Sequence, residues 1–187
     1  MNQNSETLII EQVEAWLENV VIGLNLCPFA AKPQRNGQIR IVVSQAKIEE
    51  LLLEDILQEM HKLQSTTVSE LETTLVVTPY MLNDFYEYNL FINWIDAMLE
   101  QQQLEGEFQV ATFHPDYCFA GNEPEDVGNL TNRSPYPIFH LIREDSLEKA
   151  LKHFPNPETI PDTNIETVSS LSEKDIEELF PHLKSSD

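Results

Sequence analysis

Apolar residues recur at three- and four-residue intervals in some stretches of the chain and cluster in short β-branched runs in others. Residues 7–24 place Leu8, Ile9, Val13, Trp16, Leu17, Val20, Val21 and Leu24 on one stripe, which predicts an amphipathic helix ending near Gly23, with Pro28 barring continuation. Lys32 to Gly37 reads as a loop closed by an Asn36-Gly37 turn, and Ile39 to Val43 as a strand. Ser44 is placed to cap a second helix carrying Ile48, Leu51, Leu52, Ile56, Leu57, Met60 and Leu63, running to about Gln64. Thr73 to Thr78 predicts a second strand, stopped by Pro79. Asn83 or Asp84 then opens a third helix with Tyr88, Phe91, Trp94, Ile95 and Met98, ending by Gly106; Trp16, Phe91 and Trp94 fall on helical stripes and are assigned to the core. Phe108 to Phe113 and Ile138 to Ile142 complete the strands.

The alternation of strand and helix predicts an α+β (α/β-like) fold with a mixed sheet of about four strands. Its β-α-β-α-β crossovers favour a parallel arrangement of the first three strands. The fourth strand, reached by a loop, is expected to pair antiparallel at either side. Beyond it, Asp145 with Glu148 and Ser172 with Asp175 read as capping boxes for helices near 146–153 and 173–180, and Pro155, Pro157 and Pro161 break the chain between them into short pieces. The C-terminal third is thus a helical appendage. Residues 1–187 are read as a single domain, with 181–187 as a flexible tail.

Composition narrows the partners. A 187-residue chain that is 41% hydrophobic can bury a sizeable core, and no window is long and apolar enough for a membrane span or a secretory signal. With 32 acids against 11 bases the net charge of -21 repels phosphate backbones and anionic membranes, so neither general nucleic-acid binding nor membrane association is expected. Two cysteines, Cys27 and Cys118, are too few for a disulfide scaffold, and a cytoplasmic protein with reduced thiols is expected. No Asp or Glu occurs from Asn19 to Ile48 or from Val127 to Arg143, although five Arg and Lys residues fall in the loops and strands there besides Arg143 itself. Buried strands exclude acids in any case. The other reading is a local site for a small anionic or polar molecule.

The stretch from His114 to Pro137 is long and aperiodic, holding Pro115, Gly121, Pro124, Gly128, Pro135 and Pro137, and apolar residues anchor both ends. Parallel strands would place His114 on the rim where open α/β sheets bind ligands, near Cys118, Asn132, Arg133 and Ser134, with His140 and Arg143 on the next strand. Arg133, assisted by Arg143, Asn132 and Ser134, suits an anion; the alternative is an arginine bonding loop carbonyls. His114 and His140 are candidate general bases or acids, and Cys27 and Cys118 candidate nucleophiles, against the alternative of packed side chains. The same two Cys and two His form a set zinc accepts, although their spacing lacks the close pairs typical of structural zinc. No cofactor is specified.

Gly23-Leu-Asn-Leu-Cys-Pro-Phe-Ala30, Phe113-His-Pro-Asp-Tyr-Cys-Phe-Ala-Gly121, and Asn132-Arg-Ser-Pro-Tyr-Pro137 with His140 and Arg143 resemble the bacterial domain-of-unknown-function family numbered 1415, over Leu8 to about Phe180. The resemblance implies a bacterial single-domain protein and supplies no catalytic residues. The leading expectation is a small-molecule enzyme, or a ligand binder derived from one, holding an anionic or polar substrate near the 114–137 loop. The alternatives are a non-catalytic binding module using its acidic surface, and a metal-binding protein.

Overall fold

The computed structural model describes residues 3–183. Helix α1 (Gln3–Trp16) continues without a break into a π-helical segment (Leu17–Ile22), and a short helix α2 (Ala31–Arg35) follows. The main body is then β1 (Ile39–Val43), α3 (Glu49–Ser65), β2 (Thr73–Val77), α4 (Phe85–Gln102), β3 (Phe108–Phe113) and β4 (Ile138–Arg143). Helices α5 (Glu144–Lys152), α6 (Ile160–Ser169) and α7 (Glu173–Leu179) end the described chain, with a 3₁₀ turn at Pro181–Leu183.

The fold is α+β, with one mixed four-stranded sheet in the order β1-β2-β4-β3. β1 pairs parallel with β2, and β4 pairs antiparallel with both β2 and β3, so β1, β2 and β3 share a direction. β4 is therefore an inserted strand, with the sheet on both of its sides. Its composition accounts for that place: Ile138, Phe139 and Leu141 are fully buried, whereas β3 carries the exposed Gln109 and can lie at an edge.

One face of the sheet presents Val76, Phe139, Leu141 and Phe108 to α3 and α4, where Leu52, Ile56, Met60, Tyr88, Phe91 and Ile95 complete a sealed core. The other face is covered unevenly. At the C-terminal ends of the parallel strands, Val43, Val77 and Ile138 pack beneath Val13, Leu17, Val20 and Val21 of α1 and its π-helical continuation, with Val168 and Phe180 from the C-terminal helices. Toward the opposite ends of the same strands that face is hollow.

Several local expectations resolve differently. Asp84 caps α4 by accepting from Glu87 N at 2.9 Å, and Ser172 with Asp175 forms the expected capping box. The Asp145–Glu148 box does not form: α5 begins at Glu144, with Arg143 at its N-cap position and no side-chain cap. Ser44 does not cap α3 either, because its Oγ donates to Asp55 Oδ2 at 2.5 Å and accepts from Ala46 N. Trp94 is 61% exposed, since the buried stripe Tyr88, Phe91, Ile95, Met98 lies about a quarter turn away from it; Trp16 and Phe91 are buried as expected. Lys32 to Arg35 is helical, which Pro33 permits because a first helical turn needs no donor from it. Of the expected tail, 181–183 forms the 3₁₀ turn with Leu183 against the second core, and 184–187 lies outside the described residues.

Candidate functional site

The hollow half of the sheet is a cavity of about 750 Å³. Its floor is the strand face itself: Ile39, Thr73, Leu75, Ala111, His140 and Ile142, positions that alternate along four strands and meet in register as Leu75, His140 and Ala111. Ala111, on the edge strand β3, is the smallest residue of that floor. One wall is the Cys27–Pro33 segment and the other is α5, through Ser146, Leu147, Lys149 and Ala150. Phe29 and Phe154 meet edge to face at 5.4 Å between centroids.

The π-helical segment sets the first wall. Gly23 N bonds Glu18 O and Leu26 N bonds Val21 O, both five residues back, so the helix is widened as it ends. A Cβ on Gly23 would lie 2.3 Å from Asn19 O, so glycine alone fits this close approach. Asn25 then takes a positive φ of 54°, and the reversal leaves Cys27 facing the cavity. Burial pushes the Cys27 thiol up from its ordinary pKa, against the opposing pull of the Phe29 and Ala30 backbone amides. We expect Cys27, in a Cys118→Ala background, to react with iodoacetamide at pH 7 at about a tenth of the rate of free cysteine or slower, rising only above the ordinary thiol range; faster labelling at pH 7 would show an activated thiolate instead.

His140 rises from the middle of the floor, and its Nε2 lies 2.7 Å from Thr73 Oγ1. Desolvation holds its pKa down at about 4, so the ring is neutral at pH 7. The charged side chains at the cavity are Lys32 and Lys149 against Glu72, with Arg143 bordering it by its stem, a positive balance in a chain of net charge -21. Lys149 pairs loosely with the exposed Asp145 at 3.9 Å.

The other expected site residues lie elsewhere or are engaged. His114 is fully buried; Asp116 N donates to its Nδ1 at 2.9 Å, so its Nε2 carries the proton and donates to Leu82 O at 3.0 Å. Both of its nitrogens are used, and burial lowers its pKa as well. Cys118 donates to Asn122 O. The Arg133 guanidinium bonds Tyr117 O and Pro124 O, Asn132 bonds Thr112 O, and buried Ser134 bonds Tyr136 O. Arg133 thus sits as a brace on loop carbonyls, the alternative weighed for it. Asn129, which the sequence did not single out, organises the same loop: fully buried, it accepts from Phe119 N and Asn122 Nδ2 and donates to Glu123 O and Pro124 O. Arg143 reaches Leu63 O, Thr66 O at 2.9 Å and Leu71 O at 3.2 Å, so its stem borders the cavity while its head holds backbone. The four Cys and His residues are not assembled as a set; among the described residues no group of three or more His, Cys, Asp or Glu side chains is placed to hold a metal ion.

Residues 8–178 match the model of a family described as a protein of unknown function, DUF1415. The chain belongs to this family. No curated protein and no solved structure matches it. The three stretches that carry the DUF1415 resemblance do two kinds of work in the fold. Cys27–Ala30, Phe113, His140 and Arg143 border the cavity, whereas 114–121 and 132–137 form the self-bonded loop that buttresses α1, where Trp16 Nε1 donates to Arg133 O at 2.9 Å and Trp16 packs edge-on against Phe113. No helix among the described residues is long and apolar enough to cross a membrane.

Proposed function

We propose that the chain is a small-molecule binding protein of enzyme-like construction, whose site is the sheet-face cavity and whose ligand has an apolar body and one anionic group. The observation that carries this reading is the cavity itself. Its size falls within the range of about 300–1,000 Å³ typical of ligand pockets, its floor is apolar around a single imidazole, and its charged rim is net positive on an acidic protein. Apolar surface supplies affinity, while Lys32 and Lys149 supply attraction for the anion. Cys27 and His140 are the groups available for chemistry. A protonated thiol and a neutral imidazole suit recognition at pH 7 better than nucleophilic attack, so binding is the primary reading and turnover the secondary one. A cytoplasmic setting fits the two free thiols.

Filling the floor tests the reading. The native chain is expected to bind anilinonaphthalene sulfonate in the micromolar range, and Ala111→Phe to weaken that binding at least about tenfold with the melting temperature kept. If Ala111→Phe fails to fold, Ala111→Leu asks the same question with less added bulk. Absence of binding to the native chain, or unchanged affinity in a folded filled variant, overturns the proposal.

A further inference from the structure

The one imidazole on the cavity floor has two nitrogens in different circumstances, and the strand register fixes which is which. His140 pairs across the sheet with Leu75 and Ala111, so Thr73, two residues from Leu75 on β2, is its diagonal neighbour on the same face. Thr73 Oγ1 donates its proton to Leu141 O at 2.5 Å. A hydroxyl has one proton, so toward the imidazole at 2.7 Å it can only accept, and His140 Nε2 must carry the hydrogen. A neutral imidazole has a single N–H, which leaves Nδ1 as a bare lone pair. Among the described residues nothing donates to Nδ1, and that atom is not one of the unpaired side-chain atoms sealed inside the protein, so it opens on the cavity that the ring lines. An acceptor in a largely apolar site gains from a ligand that brings a donor, and such a site rejects the analogue lacking one.

We infer that His140 selects the ligand by accepting, at Nδ1, a hydrogen bond from a hydroxyl or N–H group on the ligand's apolar body, so that the ligand class is a hydroxylated or N–H-bearing apolar anion. The inference rests on the cavity reading above and narrows it. Thr73 is a positioning residue: its hydroxyl is taken up by Leu141 O and His140 Nε2, and it acts by holding the tautomer. Plain aliphatic or aromatic acids fill the same space and leave Nδ1 without a partner.

The test uses the full chain, with naphthoate and its hydroxynaphthoate isomers titrated calorimetrically and in competition with anilinonaphthalene sulfonate. At least one isomer is expected to bind about tenfold more tightly than naphthoate, and His140→Phe, which keeps the ring's bulk, to bring the two within about twofold. Thr73→Val removes the acceptor at Nε2 and should narrow the same preference, with the imidazole nitrogen NMR signals of His140 changing from one tautomer to a mixture; this variant carries the test if His140→Phe does not fold. Naphthoate bound but no isomer preferred, or a preference that survives both substitutions, overturns this inference and leaves the cavity reading standing. Failure of naphthoate and every isomer to bind or compete overturns both.

Discussion

Replacing Arg143 by Met is expected to lower the unfolding free energy by about 2–3 kcal/mol, because it removes a half-buried cationic donor and orphans the carbonyls it serves. One guanidinium nitrogen reaches Leu63 O, Thr66 O and Leu71 O, the end of α3 and the turn that leads into β2. These groups sit at the negative end of a 17-residue helix, where a cation is favoured by the aligned peptide dipoles as well as by the bonds themselves. Arg143 is the last residue of β4, so it ties the inserted strand to the helix on the far side of the sheet. Urea denaturation measures the change. A loss under about 1 kcal/mol would mean that the guanidinium is free to serve a ligand instead. Affinity for anilinonaphthalene sulfonate in the folded fraction should change less than threefold, since the charge is held by backbone and does not stand in the mouth of the cavity.

The second large effect is on acid stability. His140 has a pKa of about 4 in the folded protein against 6.5 for the free side chain, because burial disfavours the imidazolium. Between those values the unfolded chain binds a proton that the folded chain does not, so falling pH favours unfolding across that window. Below about pH 4 both states are protonated and the term stops growing. The gap corresponds to about 3 kcal/mol lost between pH 6.5 and 4. Protonation of the many carboxylates pulls the other way by relieving self-repulsion in a chain of net charge -21, so the informative quantity is a difference between variants. His140→Phe should become more stable relative to wild type as pH falls from 7 to 4, by about 3 kcal/mol. A constant difference would show that the ring is protonated as easily in the folded protein as in the unfolded one.

The periodicity of apolar residues was enough to read α1, α3, α4 and all four strands, because each buries one stripe or one run against the sheet. Trp94 was misplaced by the same rule: it lies on the margin of the α4 stripe, where a step of one residue separates buried from exposed. α6 was hidden by the run of Pro155, Pro157 and Pro161, although Pro161 stands in its first turn, where a missing N–H costs nothing. The position of β4 between β2 and β3 follows from burial on both faces, which a single strand's sequence suggests only through its apolar run.

The candidate site was legible in part. The two acid-free segments mark Cys27, Lys32, His140 and Arg143, all of which border the cavity. The same signal also marked Asn132, Arg133 and Ser134, whose side chains donate to backbone carbonyls. Thr73, Ala111 and the α5 wall were out of reach, since each becomes part of a site only through strand register or through the fold-back of the helix after β4. The cavity also lies over the face at the N-terminal ends of the parallel strands, away from the rim where such sheets usually bind. α1 and its π-helical continuation already occupy the C-terminal half of that face, and the antiparallel β4 delivers α5 to the other end.

The central claim is that the hollow on the sheet face is where this protein meets its small molecule, and amide chemical-shift mapping during titration with anilinonaphthalene sulfonate tests it most directly. The largest changes are predicted at Thr73, Leu75, Ala111 and His140 and along α5 around Leu147. Changes centred on Tyr117 to Arg133, with those residues unmoved, would contradict it.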